Sequence, residues 1–359
     1  MCDMDENTLI NRFIALSRYA GSRFDLVQAG GGNSSIKLDH HRMLVKASGC
    51  HLSEVELEHG YAVVDHAVLA TLLETPIQWH DEDKHRRDEN VSRLVRGATK
   101  PSGARASLEV FMHAVLGRFV LHTHPIAVNI IASQSDWGKN LAHLFPEALC
   151  IPYYTPGIEL GLELSIKVKA FVSNHGYFPE IIFLQNHGLI VSAETMEAVR
   201  GITEDVIGKC GEWSHVDFSH YQAVTAIAEY VGNGSVAYLC EDRVIVDLLK
   251  SQGKLFSQQP ISPDSFVYCG VVPLVVDNLG ETNALDVYRK TYQDIPKVIS
   301  YQGRLYFIAK TIKKAKEVED VYKAHLLTLA AIKGQVSYLS HSELAYLGSW
   351  EAEQYRRGK

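Results

Sequence analysis

Phe119-Val-Leu-His-Thr-His-Pro125 is the stretch on which the reading of this chain turns. Three apolar residues run into an HxH triplet, and a proline follows at once. Alternate residues of a β-strand share a face, so His122 and His124 would stand side by side, about 6.5–7 Å apart along the backbone. Two imidazoles so placed suit a divalent ion that keeps other positions free; they are also what two strand-end histidines satisfied by hydrogen bonds would look like. A third histidine, His187 in Phe183-Leu-Gln-Asn-His-Gly-Leu189, again ends a strand-like run. Three histidines with an open position describe a catalytic zinc site, since a structural one closes with four protein ligands, usually including Cys. The chain therefore reads as a metalloenzyme.

Working outward, the strand at 118–122 is preceded by Ser107-Leu-Glu-Val-Phe-Met-His-Ala-Val-Leu116, read as a helix with Ser107 as its N-cap. Pro125 opens the next helix, where proline is tolerated. Residues 7–21 carry Leu9, Ile10, Phe13, Ile14 and Leu16 at helical spacing. Gln28-Ala-Gly-Gly-Gly-Asn-Ser-Ser-Ile-Lys-Leu38 is a glycine-rich turn entering a strand, and Arg42-Met-Leu-Val-Lys-Ala-Ser-Gly49 reads as its hairpin partner. Residues 80–103 predict a loop or an exposed helix, 181–192 a strand pair, and Ala193–Ala198 a helix start. Beyond residue 215 the pattern changes. Residues 218–232 look helical, 234–240 are ambiguous and 252–264 resemble a linker. Strands are expected at Phe266–Val276 and Pro296–Ala309, and helices at Lys313–Lys333 and Ser342–Arg357. The expected domains are 1–215 and 216–359.

One internal echo joins the two parts. Leu189-Ile-Val-Ser-Ala-Glu-Thr-Met196 and Leu305-Tyr-Phe-Ile-Ala-Lys-Thr-Ile312 share a strand-to-helix layout, with Tyr301-Gln-Gly303 standing where the first has Asn186-His-Gly188. A degenerate half-repeat explains this, and so does chance likeness between two β–turn–α units.

Bulk properties narrow the classes. With 359 residues, 46% of them apolar, the chain can bury two cores. No run reaches the roughly 18 apolar residues of a membrane span. The acidic start, Met1-Cys-Asp-Met-Asp-Glu6, lacks the order of a signal peptide. Six scattered cysteines with no CxxC give neither a disulfide framework nor a thiolate zinc site, so a reducing cytoplasm is expected. A net charge of −7 argues against general nucleic-acid binding.

Glu109 is the carboxylate that could reach the metal edge, although a first-turn glutamate also complements a helix dipole. Gly30-Gly-Gly-Asn-Ser-Ser35 could cradle a phosphate with backbone N–H groups, or could simply be a turn that needs positive φ. It has neither Walker nor GxGxxG spacing. Lys46-Ala-Ser-Gly49 offers a second polar turn beside it. Most of the other histidines, including His40, His41, His80 and His85, read as surface or locally bonded residues. His113 stands out among them, one helical turn after Glu109.

Together, Val27–Lys37, Leu44–Gly49, Ala106–Glu109, Val120–Pro125, Tyr153-Tyr-Thr-Pro-Gly157 and Gln185–Leu189 resemble the class II aldolase/adducin family, in the family's order and over about residues 7–212. The glycine loop is most similar to the aldolase part of bifunctional rhamnulose-1-phosphate aldolase/alcohol dehydrogenases, and residues 265–357 look like the region that follows that part; no dehydrogenase fingerprint is present. The resemblance implies an α/β fold: a three-layer α/β/α domain around a mostly antiparallel sheet, plus a smaller α+β C-terminal extension. It implies assembly as a homo-oligomer, commonly a tetramer. It implies Zn²⁺, or another divalent metal, held by His122, His124 and His187, with Glu109 as resting fourth ligand and catalytic acid/base. Gly32, Asn33, Ser48, Gly49 and, more weakly, Ser107 would bind substrate phosphate. The family's small sugar-phosphate aldolases usually have two serines before the glutamate, where this chain has Ser107-Leu-Glu109; related epimerases tend to carry Asp at the Glu109 position.

The implied activity is that of a lyase cleaving a ketose 1-phosphate to dihydroxyacetone phosphate and an aldehyde through a metal-stabilised enediolate. A tyrosine often protonates the aldehyde oxygen in this family, and Tyr153 and Tyr154 are the candidates by sequence proximity. The competing readings are an epimerase or decarboxylase on the same metal site, and a non-catalytic adducin-like protein. The intact ligand set argues against the last.

Overall fold

Among the described residues, 119–123 form the central strand of the larger of two sheets, and the first part of the chain is layered about it. The computed structural model describes residues 5–74, 83–101 and 104–349. It divides into two units, Met1–Phe218 and Ser219–Lys359; the expected break was at 215/216.

In the first unit the elements run α1 (Glu6–Gly21), β1 (Asn33–Lys37), β2 (Arg42–Lys46), β3 (Tyr61–Asp65), α2 (His66–Leu73), α3 (Lys84–Ala98), α4 (Val110–Ala114) and β4 (Phe119–Thr123). Then follow α5 (Ile126–Ala132), α6 (Trp137–Leu144), β5 (Leu149–Ile151), α7 (Ile158–His175), β6 (Ile181–Leu184), β7 (Gly188–Ala193) and α8 (Met196–Ser214). The sheet order is β3-β2-β1-β4-β7-β6-β5, and every pairing is antiparallel except β5 with β6. Both faces are covered, as a three-layer arrangement requires. Phe119 and Leu121 of β4 pack with Leu9, Phe13 and Leu16 of α1 and with Val199 and Val206 of α8. Val120 points the other way, towards Met112 of α4 and Leu160 and Leu164 of α7. His122 shares the parity of Val120 and so faces the α4/α7 side.

The helix expected over 107–116 is shorter and begins later, at Val110. The Ser107 hydroxyl accepts the Glu109 N–H at 3.3 Å and its carbonyl accepts the Val110 N–H at 3.1 Å, forming a separate turn. Glu109, not Ser107, is the residue at the N-cap. Of the stretch 80–103, residues 84–98 are the helix α3, while 80–82 and 102–103 lie outside the described residues.

The second unit runs α9 (Ser219–Val231), β8 (Val236–Leu239), α10 (Arg243–Ser251), α11 (Pro263–Cys269), β9 (Leu274–Val276), α12 (Asn283–Tyr292), β10 (Val298–Tyr301), β11 (Arg304–Ala309), α13 (Ile312–Ala331) and α14 (His341–Ser349). The expected strand at 266–276 is instead a helix followed by a short strand. Ser262 and Ser265 form a reciprocal capping box and Pro263 sits in the first turn, so the capping outweighs the β-like composition of Phe266–Cys269. The expected linker at 252–264 holds a 3₁₀ turn, Gly253–Ser257. Of the helix expected over 342–357, residues 350–357 lie outside the described residues.

The echo in the sequence corresponds to a repeat of topology. The second sheet, β8-β11-β10-β9, has the order of the half-sheet β4-β7-β6-β5. The senses agree as well: β4/β7 and β8/β11 are antiparallel, β7/β6 and β11/β10 antiparallel, β6/β5 and β10/β9 parallel. Thr195 and Thr311 both cap the helix that follows, each accepting an N–H at 3.2 Å. The difference lies in the hairpin turns. Leu184 pairs with Gly188 across three residues, whereas Tyr301 pairs with Arg304 across two. The residue that carries the His187 imidazole has no counterpart in the shorter turn.

Candidate metal centre

Strand β4 delivers His122, the residue just past its end is His124, and the β6–β7 turn delivers His187. Asn186 adopts φ 51°, a left-handed conformation that Asn tolerates, and this turns the chain so that His187 meets β4. Gly188 lets the two strands close: a Cβ there would lie 2.2 Å from the Thr123 carbonyl oxygen. Helix α5 steadies the turn, with Asn129 Nδ2 donating to the His187 carbonyl at 3.3 Å and the Ala132 carbonyl accepting the Asn186 N–H at 3.1 Å.

The end of β4 is pinned from the other side. The Leu26 carbonyl accepts the His124 N–H and the Asp25 carbonyl accepts the Ile126 N–H, both at 2.9 Å. This 23–27 loop is built on Arg23, which is fully buried. Its guanidinium donates to both oxygens of Asp25, at 2.8 and 2.5 Å, and to Glu204 of α8 at 2.6 Å. The Tyr19 hydroxyl donates to the same Glu204 oxygen at 2.6 Å. A buried charge needs such full pairing to be tolerated.

The three imidazoles converge by their Nε2 atoms. His122 Nε2 lies 3.2 Å from His187 Nε2 and 3.2 Å from His124 Nε2. His122 Nδ1 faces the Leu189 carbonyl at 3.0 Å, an acceptor, so Nδ1 carries the proton and Nε2 presents its lone pair to the centre. Burial pushes His122 well below the usual imidazole range and lowers His124 as well, which favours the neutral, ligating forms. Lone pairs gathered this closely repel unless a cation lies among them. A tetrahedral ion with 2.0–2.1 Å bonds sets ligand nitrogens about 3.3 Å apart, so the residues fit a divalent metal. Among the described residues these three histidines form the one group of His, Cys, Asp and Glu side chains placed to hold an ion.

Glu109 stands beside the triad, with Oε1 3.6 Å from His187 Nε2. Its Oε2 accepts a short hydrogen bond from Asn33 Nδ2. Asn33 pairs across the ladder with His122, so the two side chains share a face. Burial would raise the Glu109 carboxyl, but the positive charge that the imidazoles of His187, His122 and His124 take up in acid outweighs it and holds the pKa at about 2. The carboxylate is ionised and faces the three nitrogens.

The sequence profile of the class II aldolase and adducin N-terminal domain matches residues 11–210, more than half of the chain. The chain belongs to the class II aldolase and adducin family. Among solved structures, the N-terminal class II aldolase domain of a conserved protein from Thermoplasma acidophilum is similar at 23% identity, over 58% of this chain and 95% of that one, with a TM-score of 0.50. YgbL from Klebsiella pneumoniae is 16% identical over 58% of this chain and 88% of its own, with a TM-score of 0.41. An L-fuculose-1-phosphate aldolase from Thermus thermophilus is 16% identical over 59% and 96%, with a TM-score of 0.38. At such identities the Thermoplasma likeness shows the fold. No curated protein matches the chain in sequence.

In this class II aldolase/adducin chain the turns expected to hold phosphate are neighbours. Lys46 is buried and donates from Nζ to the Gly30 carbonyl at 3.0 Å and the Gly32 carbonyl at 3.4 Å, tying the end of β2 to the glycine turn. An isolated bridge joins Ala47 to Ala106, and the Ser48 N–H donates to the Arg105 carbonyl at 2.7 Å, so Ser48 and Gly49 run beside the segment holding Ser107. Gly32 has φ 71°, and a Cβ there would meet the His122 carbonyl oxygen at 2.8 Å; a Cβ on Gly31 would meet the His124 ring at 3.0 Å. The glycines are thus accounted for by close approach to the histidine strand. The Asn33 amide, expected at a phosphate, is engaged with Glu109. Tyr153 is exposed, and its N–H donates to Gln185 Oε1 at 3.2 Å, tying its loop to the His187 turn. His113 stays outside the triad, buried and sharing a 2.8 Å hydrogen bond with Ser35. Lys46 and the Asn33–Glu109 bond were not foreseen. The alternation of β1, which puts Asn33 on the face opposite Ser34, was the available signal. Among the described residues no helix is long and apolar enough to cross a membrane.

Proposed function

We propose that this chain is a zinc-dependent class II aldolase, an aldehyde-lyase that cleaves a ketose 1-phosphate to dihydroxyacetone phosphate and an aldehyde. The observation that carries the reading is the convergence of three Nε2 atoms, 3.2 Å apart in two of the pairs, beside an ionised carboxylate. His122, His124 and His187 hold the ion, with Glu109 as its fourth ligand at rest. When bound, Zn²⁺ supplies Lewis-acid polarisation of the substrate's carbonyl and adjacent hydroxyl oxygens.

Everything else falls to the protein's own groups. Cleavage between C3 and C4 needs the C4 hydroxyl to lose its proton as the aldehyde forms, and C3 of the resulting enediolate to gain one. Glu109 takes the first proton and returns it to the enediolate carbon, so the carboxylate is regenerated as dihydroxyacetone phosphate and the aldehyde leave. Asn33 holds the carboxylate through Oε2 and aims it. With the Asn33 amide so engaged, the glycine turn at Gly32, the Ser48 hydroxyl, Gly49 and Ser107 take the substrate phosphate. Lys46 braces the glycine turn and adds positive charge near it. The likeness of the glycine loop to rhamnulose-1-phosphate aldolases in bifunctional enzymes favours a deoxyketose substrate, and the family favours a homotetramer. A retro-aldol screen of ketose 1-phosphates on metal-loaded protein, with detection of dihydroxyacetone phosphate, tests the reading. Release of that product supports it. Rearranged carbon alone would mark an epimerase, release of CO₂ a decarboxylase, and either would displace it.

A further inference from the structure

Each copy of the repeated half-sheet has a cavity at the end of the sheet opposite the β6–β7 or β10–β11 turn, and the two differ in sign. In the first unit the cavity is about 500 Å³ and is lined by Glu147, Glu180 and Glu194 with Tyr177 and Phe178. In the second it is about 600 Å³, and its charged lining is Arg289, Lys297, Lys310 and Lys314 against the single carboxylate of Asp294. The registers match two of these positions. Ile181 pairs with Val191 as Val298 pairs with Phe307, so Glu180 corresponds to Lys297. Ala193 and Ala309 are the last partners of β4 and β8, so Glu194 corresponds to Lys310.

The reversal is local, because the whole chain carries a net charge of −7. The cations are positioned rather than loose. Arg289 donates to the Val231 carbonyl at 2.6 Å and Lys310 to the Asn233 carbonyl at 2.5 Å; neutral acceptors orient a cation without cancelling its charge. Lys297 lies 3.5 Å from Asp294, and Lys314 lies 2.7 Å from Glu317. The remaining wall is mostly apolar, with Val267, Ile308 and Val318 beside Tyr268, and Asn233 and Gln293 add neutral polar groups. A pocket of this size, apolar with a few convergent charges, has the make-up of a small-molecule site.

We propose that this cavity binds a small organic anion, a phosphate or carboxylate group carried on an apolar or aromatic body. Arg289, Lys297, Lys310 and Lys314 take the anionic head, and Tyr268 with the apolar wall takes the body. All its lining residues belong to the second unit, so the inference stands independently of the aldolase reading.

Phenyl phosphate, benzoate and phenol are the probes, titrated calorimetrically into the full chain carrying His187→Ala, which removes the metal centre as a competing site. One anion site per chain is expected, bound more tightly than phenol, with the tighter of the two anions naming the head group. Lys310→Glu/Lys314→Glu should weaken it by at least about ten-fold, the loss expected from removing charge-assisted contacts. Both lysines are exposed, so circular dichroism should be unchanged; Lys310→Gln/Lys314→Gln replaces the pair if charge reversal disturbs folding. Equal binding of phenol, no binding of either anion at millimolar concentration, or full affinity in the double variant would overturn the proposal.

Discussion

Asn33 and Glu109 carry the sharpest residue-level consequence of the fold. The amide of Asn33 reaches Glu109 because β1 pairs with β4 in the register that sets Asn33 opposite His122. Groups that orient a metal-site residue in this way typically cost 10–100-fold in metal affinity or activity when removed. Asn33→Ala is expected to lower kcat by about that factor with KM little changed, read by steady-state kinetics; a loss confined to KM would return Asn33 to the phosphate. Gly188 makes a second prediction. Gly188→Ala must separate β7 from β4, since the added Cβ would meet a backbone oxygen at 2.2 Å. A loss of roughly 1–3 kcal/mol is expected by urea titration, together with loosened metal binding. The three histidines are legible in the sequence because HxH and His-Gly are local patterns, while Ser-x-Glu marks Glu109 only as a candidate beside its helix-dipole reading. The Asn33–Glu109 bond is not legible there, because it depends on which strand lies beside β4.

At the level of elements, the site is a strand end clamped between two loops. The His187 turn leans on α5, and the 23–27 loop hangs on Arg23 between Asp25 and Glu204. Breaking a buried ion pair from one side leaves an unpaired charge and costs about 3–5 kcal/mol. Arg23→Ala should therefore lower stability by about that amount in urea and release the loop that holds the His124 N–H; a change under about 1 kcal/mol would show the network to be ornamental. The hairpin β1–β2, the strand β4 and the hairpin β6–β7 were readable from alternation and glycine turns. The helix α4 is shorter than the sequence suggests because Ser107 has the look of an N-cap while its hydroxyl accepts the Glu109 N–H in a turn before the helix. The β-like composition of Phe266–Cys269 suggests a strand, but the Ser262-Pro263-x-Ser265 cap starts the helix α11 there.

Across the whole molecule, the second sheet reproduces the order and senses of the half-sheet β4-β7-β6-β5. The sequence held only an echo of this, at the strand-to-helix step where two threonines cap two helices. Strand order is set by long-range pairing, so it could not be read from either segment alone. The shorter β10–β11 turn explains why one copy carries the third histidine of the triad and the other has no counterpart to it. Acid response also belongs to this scale. Burial holds His113 neutral, with its pKa lowered to about 4 from 6.5. The unfolded chain then binds the proton more tightly, so stability is fully present above pH 6.5 and falls as pH drops towards 4. The contribution is on the order of 3 kcal/mol. His113→Gln, which can keep a hydrogen bond to Ser35, should flatten the stability profile between those limits in denaturant titrations; an unaltered slope would assign the acid response elsewhere.

The central claim is that His122, His124 and His187, with Glu109 beside them, hold one divalent ion. Metal analysis of the purified chain, reconstituted with zinc and desalted, tests it most directly. The account predicts about one zinc per chain in the wild type and below about 0.1 in His187→Ala with its secondary structure intact. Zinc retained in His187→Ala, or a wild-type chain that takes up none, would contradict it.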